Sequence, residues 1–171
     1  MGKPICSSGN HKLQVTGWRM NILAEAIRFA SEKHSKQTDK GGNAYILHPL
    51  RLMLRLRTND DELMAIAVLH DVVEDCGVSI DELREIGMSE RVVSGVSTLT
   101  KRNGETYAQF IERLANNRDV LLVKREDLRD NLDLTRLKVV TEKDIARTLK
   151  YTNALKRVEV LLEAYLPNID R

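Results

Sequence analysis

The chain has 171 residues, and 27 Lys+Arg against 25 Asp+Glu leave a net charge of +2, which argues against a protein that coats duplex nucleic acid. Three prolines, nine glycines and only 4% aromatic residues favour helices over a sandwich or barrel. Cys6 and Cys76 are too few for a disulfide framework or a paired-cysteine zinc site, no apolar run approaches a membrane span, and without a secretory leader pattern the expected setting is cytoplasmic.

Residues 1–18, where Ser7, Ser8, Gly9 and Asn10 cluster, read as a flexible lead-in; residues 19–171 read as one all-α domain. From about Arg19 to His34 the apolar positions Ile22, Leu23, Ala26, Ile27 and Ala30 recur at helical spacing. The turn residues of Gln37–Asn43 predict a loop. Pro49 suits the first turn of a helix carrying Leu50, Leu52, Met53 and Leu56. Asn59 with Glu62 signals the start of the next helix, and Gly77 its end. A short helix follows from Ser79 to near Gly87, then helical patterns from about Glu90 to Leu99, Glu105 to Ala115, Asp119 to Leu132 and Glu142 to Tyr165. No period-2 alternation lasts long enough to build a sheet.

The stretch AVLHDVVEDC, residues 67–76, places His70, Asp71, Glu74 and Asp75 in one of the most apolar parts of the chain. On a continuous helix, residues four apart share a face, so His70 would sit over Glu74 and Asp71 over Asp75. Three crowded carboxylates repel one another unless a cation lies among them, and a divalent metal suits a mixed imidazole–carboxylate set. The competing reading is a solvated helix end. The apolar run continues through Val72 and Val73, however, and further ligand candidates exist at His48 and in the Asp127–Asn131 segment.

The segments YILHPLRL, LHDVVED and VKREDLRDNLDLTRL, in that order, resemble the HD-domain metallophosphohydrolases, in the guanosine-polyphosphate pyrophosphohydrolase branch that includes the small alarmone hydrolases. The resemblance runs from about Arg19 to the end of the chain and implies a single HD-domain helical bundle. It also implies metal ligands at His48, His70, Asp71 and Asp127, with Mn²⁺ the expected ion and other divalent metals compatible with the ligand types. Glu74 and Asp75 match the acidic pair that handles the attacking water, Glu74 being the first choice for the base. Asn131 matches an asparagine beside the substrate. The implied reaction is removal of the 3′-pyrophosphate of (p)ppGpp, part of the stringent response, with a small nucleotide as substrate.

Two departures from the family pattern bear on the substrate. Asp39 stands where the best-known members have an arginine, with Lys40 in register as a phosphate contact; Asp130 stands where many have an aromatic residue or His. The stretch Leu99–Arg113, LTKRNGETYAQFIER, resembles a compact subgroup of HD hydrolases. Within it Tyr107 is a candidate to stack on a base. Lys124 and Arg136 flank Asp127 as candidate phosphate contacts. Two alternatives stay open: a phosphohydrolase of another nucleotide (an NADPH 2′-phosphatase, a 3′-nucleotidase or an enzyme of pyrophosphorylated RNA ends), and a non-catalytic nucleotide-binding module.

Overall fold

A computed structural model describes residues 21–166; the lead-in over 1–18 lies outside the described residues. The described chain is all helical, as expected. In order it forms α1 (Ile22–Lys33), α2 (Leu47–Arg55), α3 (Asp61–Leu69), α4 (Val72–Cys76), α5 (Ile80–Glu85), α6 (Glu90–Leu99), α7 (Tyr107–Arg113), α8 (Arg118–Leu132) and α9 (Glu142–Glu163). Short 3₁₀ turns follow α7 (Leu114–Asn116) and α8 (Leu134–Arg136). The only extended pairing among the described residues is an isolated antiparallel bridge between Thr38 and Ala44, which closes the loop expected at 37–43.

Side-chain caps start most of these helices. Asn21, Asp60, Ser79, Ser89, Thr106, Asn117 and Thr141 each accept a hydrogen bond from the backbone N–H three residues on, worth about 1 kcal/mol apiece. The start expected at Asn59 falls one residue later, at Asp60. Reciprocal capping boxes pair Ser79 with Glu82, Thr106 with Gln109 and Thr141 with Asp144. Gly77 ends α4 in the left-handed conformation, φ 67°, which a residue without a Cβ adopts at no steric cost.

Apolar residues around its whole circumference make α3 the core helix. Ala65, Ile66, Ala67, Val68 and Leu69 are all 0% exposed, and α1, α2, α6 and α8 pack around them. The long α9 lies along α8. One expectation is corrected here: the stretch from Asn59 to Gly77 does not form one helix. The helix ends at Leu69, His70 and Asp71 form a joint (Asp71 φ −103°, ψ −6°), and α4 restarts at Val72. His70 Nδ1 lies 2.9 Å from the carbonyl of Ala67, the acceptor that a continuing helix would give to the N–H of Asp71.

Candidate metal centre

The joint between α3 and α4 turns His70 and Asp71 toward α2 and α8, which carry His48 and Asp127. His48 Nε2 lies 3.3 Å from Asp127 Oδ1 and 3.7 Å from Asp71 Oδ2. His70 Nε2 lies 2.8 Å from Asp71 Oδ2 and 3.9 Å from Asp127 Oδ1. Ligand atoms of His48, His70 and Asp71 fall within 4.8 Å of one another. The fold thus brings together all four residues expected to hold a metal, from three separate stretches of chain.

The hydrogen bonds around the two imidazoles suit metal binding. His70 Nδ1 faces a carbonyl and His48 Nδ1 faces a carboxylate, Asp130 Oδ2, at 2.7 Å. Both partners can only accept, so Nδ1 carries the proton in each ring and Nε2 turns inward. Although it lies 2.8 Å from Asp71 Oδ2, His70 Nε2 makes no aligned hydrogen bond and is buried, an arrangement that costs free energy unless a ligand completes it. The donor set therefore fits a divalent cation. Burial opposes a charged His48, but hydrogen bonds to Asp127 and Asp130 outweigh it and push the imidazole up to about 9. Burial raises Asp71, yet the neighbouring His70 charge wins and holds it down to about 2.

Further groups fix the ligands. Tyr45 donates to Asp71 Oδ2 at 2.5 Å, and burial together with the Asp71 and Asp75 carboxylates pushes its hydroxyl far up, so that it remains a donor. Lys124 Nζ donates to Asp127 Oδ2 at 2.7 Å, while Asn131 Nδ2 donates to Asp127 Oδ1 at 2.6 Å. Asp130, fully buried, is gripped by Arg51 through Nε and Nη2 at 2.8 and 3.1 Å. Tyr45 lies three residues before His48 and Asp130 three after Asp127, spacings that local reasoning about the motifs overlooked.

The four candidate ligands, with Tyr45, Lys124 and Asn131, line one side of a cavity of about 380 Å³. Glu74 and Asp75 stand on its wall, and Glu74 Oε1 accepts from the backbone N–H of Lys101. The Leu99–Arg113 motif explains that contact. Arg113 reaches Glu105 at 2.7 and 3.0 Å and the carbonyls of Thr98 and Thr100 at 2.8 and 3.0 Å. It thereby clamps the loop that presents Lys101.

The expected substrate contacts also line the cavity, with differing freedom. Lys40 is 64% exposed at the rim, 3.5 Å from Asp144. Arg136 turns inward, donating to the carbonyl of Asp130 at 2.8 Å. Tyr107 packs against Phe110 and Tyr151 with ring centroids 6.0 Å apart, and burial raises its hydroxyl to about 12. Asp39 accepts from the N–H groups of Gly41 and Asn43 at 2.9 Å, so it braces the loop. Arg147 and Tyr151, on α9, also line the cavity and were not among the residues expected from the sequence.

No family model matches the chain. Over 120 residues it is 35% identical to the guanosine-3′,5′-bis(diphosphate) 3′-pyrophosphohydrolase of Aquifex aeolicus, covering 64% of this chain and 17% of that protein. It is 31% identical over 142 residues to the probable enzyme of the same name from Synechocystis, covering 75% and 19%. The chain thus spans less than a fifth of the length of these relatives. A solved structure described as a metazoan ortholog of SpoT that hydrolyzes ppGpp shares the fold, with TM-score 0.68 over 86% of this chain and 95% of that one at 20% identity.

Proposed function

We propose that the chain is an HD-domain phosphohydrolase of the guanosine-polyphosphate pyrophosphohydrolase branch, a metal-dependent hydrolase removing the 3′-pyrophosphate of (p)ppGpp, a reading supported by its similarity to the pyrophosphohydrolases of Aquifex aeolicus and Synechocystis. The observation that carries the proposal is the convergence of His48, His70, Asp71 and Asp127 with both imidazole Nε2 atoms turned inward. These four would hold the metal, with Mn²⁺ the assigned ion. Such an ion supplies Lewis acidity toward a phosphoryl oxygen and lowers the pKa of a water.

The protein's own groups do the rest. Glu74, or in second place Asp75, orients and deprotonates the attacking water. The hydrogen bond from the Lys101 N–H fixes the Glu74 carboxylate. Lys124, Asn131, Lys40, Arg136 and Tyr107 line the space where a phosphorylated nucleotide would lie, the cations offsetting its charge and Tyr107 facing its base. A small nucleotide in the cytoplasm is the corresponding substrate pool.

A second reading keeps the site and changes the nucleotide. It rests on Asp39, whose carboxylate is occupied by backbone N–H groups at a position where the better-known members present an arginine to the substrate. The deciding experiment is an Mn²⁺-supplemented hydrolysis assay on ppGpp beside NADPH, with His70→Ala as control. Pyrophosphate release from ppGpp that disappears in the variant supports the proposal. Turnover of NADPH alone would move the substrate and keep the reaction class. No turnover of either, in protein that binds Mn²⁺, would sink the hydrolase reading for these two substrates.

A further inference from the structure

The two imidazoles of the centre are held in unlike ways. His70 Nδ1 has a neutral partner, the carbonyl of Ala67 at 2.9 Å. His48 Nδ1 has an anionic one, Asp130 Oδ2 at 2.7 Å. Asp130 has no solvent exposure, and an isolated carboxylate there would be costly. It is held by cations on several sides: Arg51 bonds to both oxygens, Arg136 lies 3.3 Å away and Arg55 3.5 Å. Arg136 also donates to the Asp130 backbone carbonyl at 2.8 Å, which ties the residue down at its main chain as well.

We propose that Asp130 is a positioning residue for the metal ligand His48, fixing its ring and keeping its Nε2 turned toward Asp71 and Asp127. The inference rests on the metal-centre reading above. A carboxylate behind a histidine ligand orients the ring and makes its inward nitrogen a stronger donor, and loss of such a partner typically weakens metal binding by about 10- to 100-fold. Arg51 acts one step further out, holding the carboxylate that holds the ring. The arrangement is built from residues 79 and 82 positions apart in the chain, on α2 and α8, so it also couples the seating of those two helices to the geometry of the centre.

The test is calorimetric titration of Mn²⁺ into the metal-stripped full chain, beside the melting temperature of the metal-free protein. Asp130→Asn should weaken Mn²⁺ binding by about 10- to 100-fold, and Arg51→Met should weaken it by a smaller factor in the same direction. In a His48→Ala background, Asp130→Asn should change the affinity no further, because the ring through which it acts is gone. If Asp130→Asn alone does not fold, the paired Asp130→Asn/Arg51→Met variant, which removes one charge of each sign, takes its place. A residue that only balances the arginines would lower the melting temperature and leave the affinity of the folded protein within twofold of the parent; that result overturns the inference and leaves the metal centre standing. Absence of Mn²⁺ binding by the unsubstituted protein overturns both.

Discussion

Gly95→Ala probes the contact that seats the core helix behind the metal centre. Gly95 lies within α6 and is buried against α3. A Cβ there would stand 2.7 Å from Ile66 Cδ1, 2.9 Å from Cγ1 and 3.1 Å from Cγ2. All three atoms belong to one side chain that is 0% exposed. Because Ile is branched at Cβ, turning one branch away brings another into its place. Overpacking of this kind costs about 3 kcal/mol at the upper end of its usual range, against a gain of about 1 kcal/mol from replacing a mid-helix glycine. The net loss is about 2 kcal/mol, equivalent to a fall of about 4–8 °C in melting temperature for a domain of this size. Urea unfolding followed by circular dichroism at 222 nm measures it directly. In an Ile66→Val background the closest clash disappears, and Gly95→Ala should cost at least about 0.5 kcal/mol less. A Gly95→Ala protein as stable as its parent would refute the reasoning.

Three more expectations follow from the site and its surroundings. Mn²⁺ at 100 times its dissociation constant should stabilise the protein by about 2.7 kcal/mol, raising the melting temperature by about 5–10 °C; EDTA or His70→Ala should abolish the rise. Tyr45→Phe removes the hydroxyl that donates to Asp71 Oδ2 and should weaken Mn²⁺ binding by about tenfold, read by the same titration, with the helical spectrum unchanged. The third concerns pH. The Arg113 hydrogen bond lowers Glu105 from its ordinary 4.5 to about 2; a carboxyl depressed on folding contributes stability that is complete above pH 4.5 and is lost as pH falls toward 2. Glu105→Gln should therefore differ from the parent in melting temperature at neutral pH, with the gap closing across that interval. A gap that stays constant down to pH 2 would rule out the ion pair as its source.

Much of the local structure was legible because its causes are local. Ser79 with Glu82 and Thr141 with Asp144 announce helix starts through hydrogen bonds spanning three residues, and Gly77 announces a stop through its own backbone freedom. The break at His70–Asp71 was not legible. Apolar periodicity runs unbroken through Val72 and Val73, and only the imidazole bond to the Ala67 carbonyl sets the joint apart from a continuing helix. Asp39 and Asp130 read as departures from a family pattern. Their partners, Gly41 and Asn43 for the one, His48 and Arg51 for the other, show that each fills a structural place of its own.

By itself, then, the order of residues determined the helical class, most helix ends and the chemical types gathered for a metal centre: two imidazoles, two carboxylates and an acidic pair. Those follow from side-chain spacing and hydrogen bonds within a few residues, which hold wherever the chain goes. Only the tertiary structure decided which nitrogen of each imidazole faces inward, that Tyr45 and Asp130 stand behind the ligands, and that Arg147 and Tyr151 close the cavity from α9. His48 and Asp130 are 82 positions apart, and no local rule links them. Burying α3 against α1, α2, α6 and α8 brings them within hydrogen-bond reach, because the apolar face of each helix must leave water before its polar groups can meet.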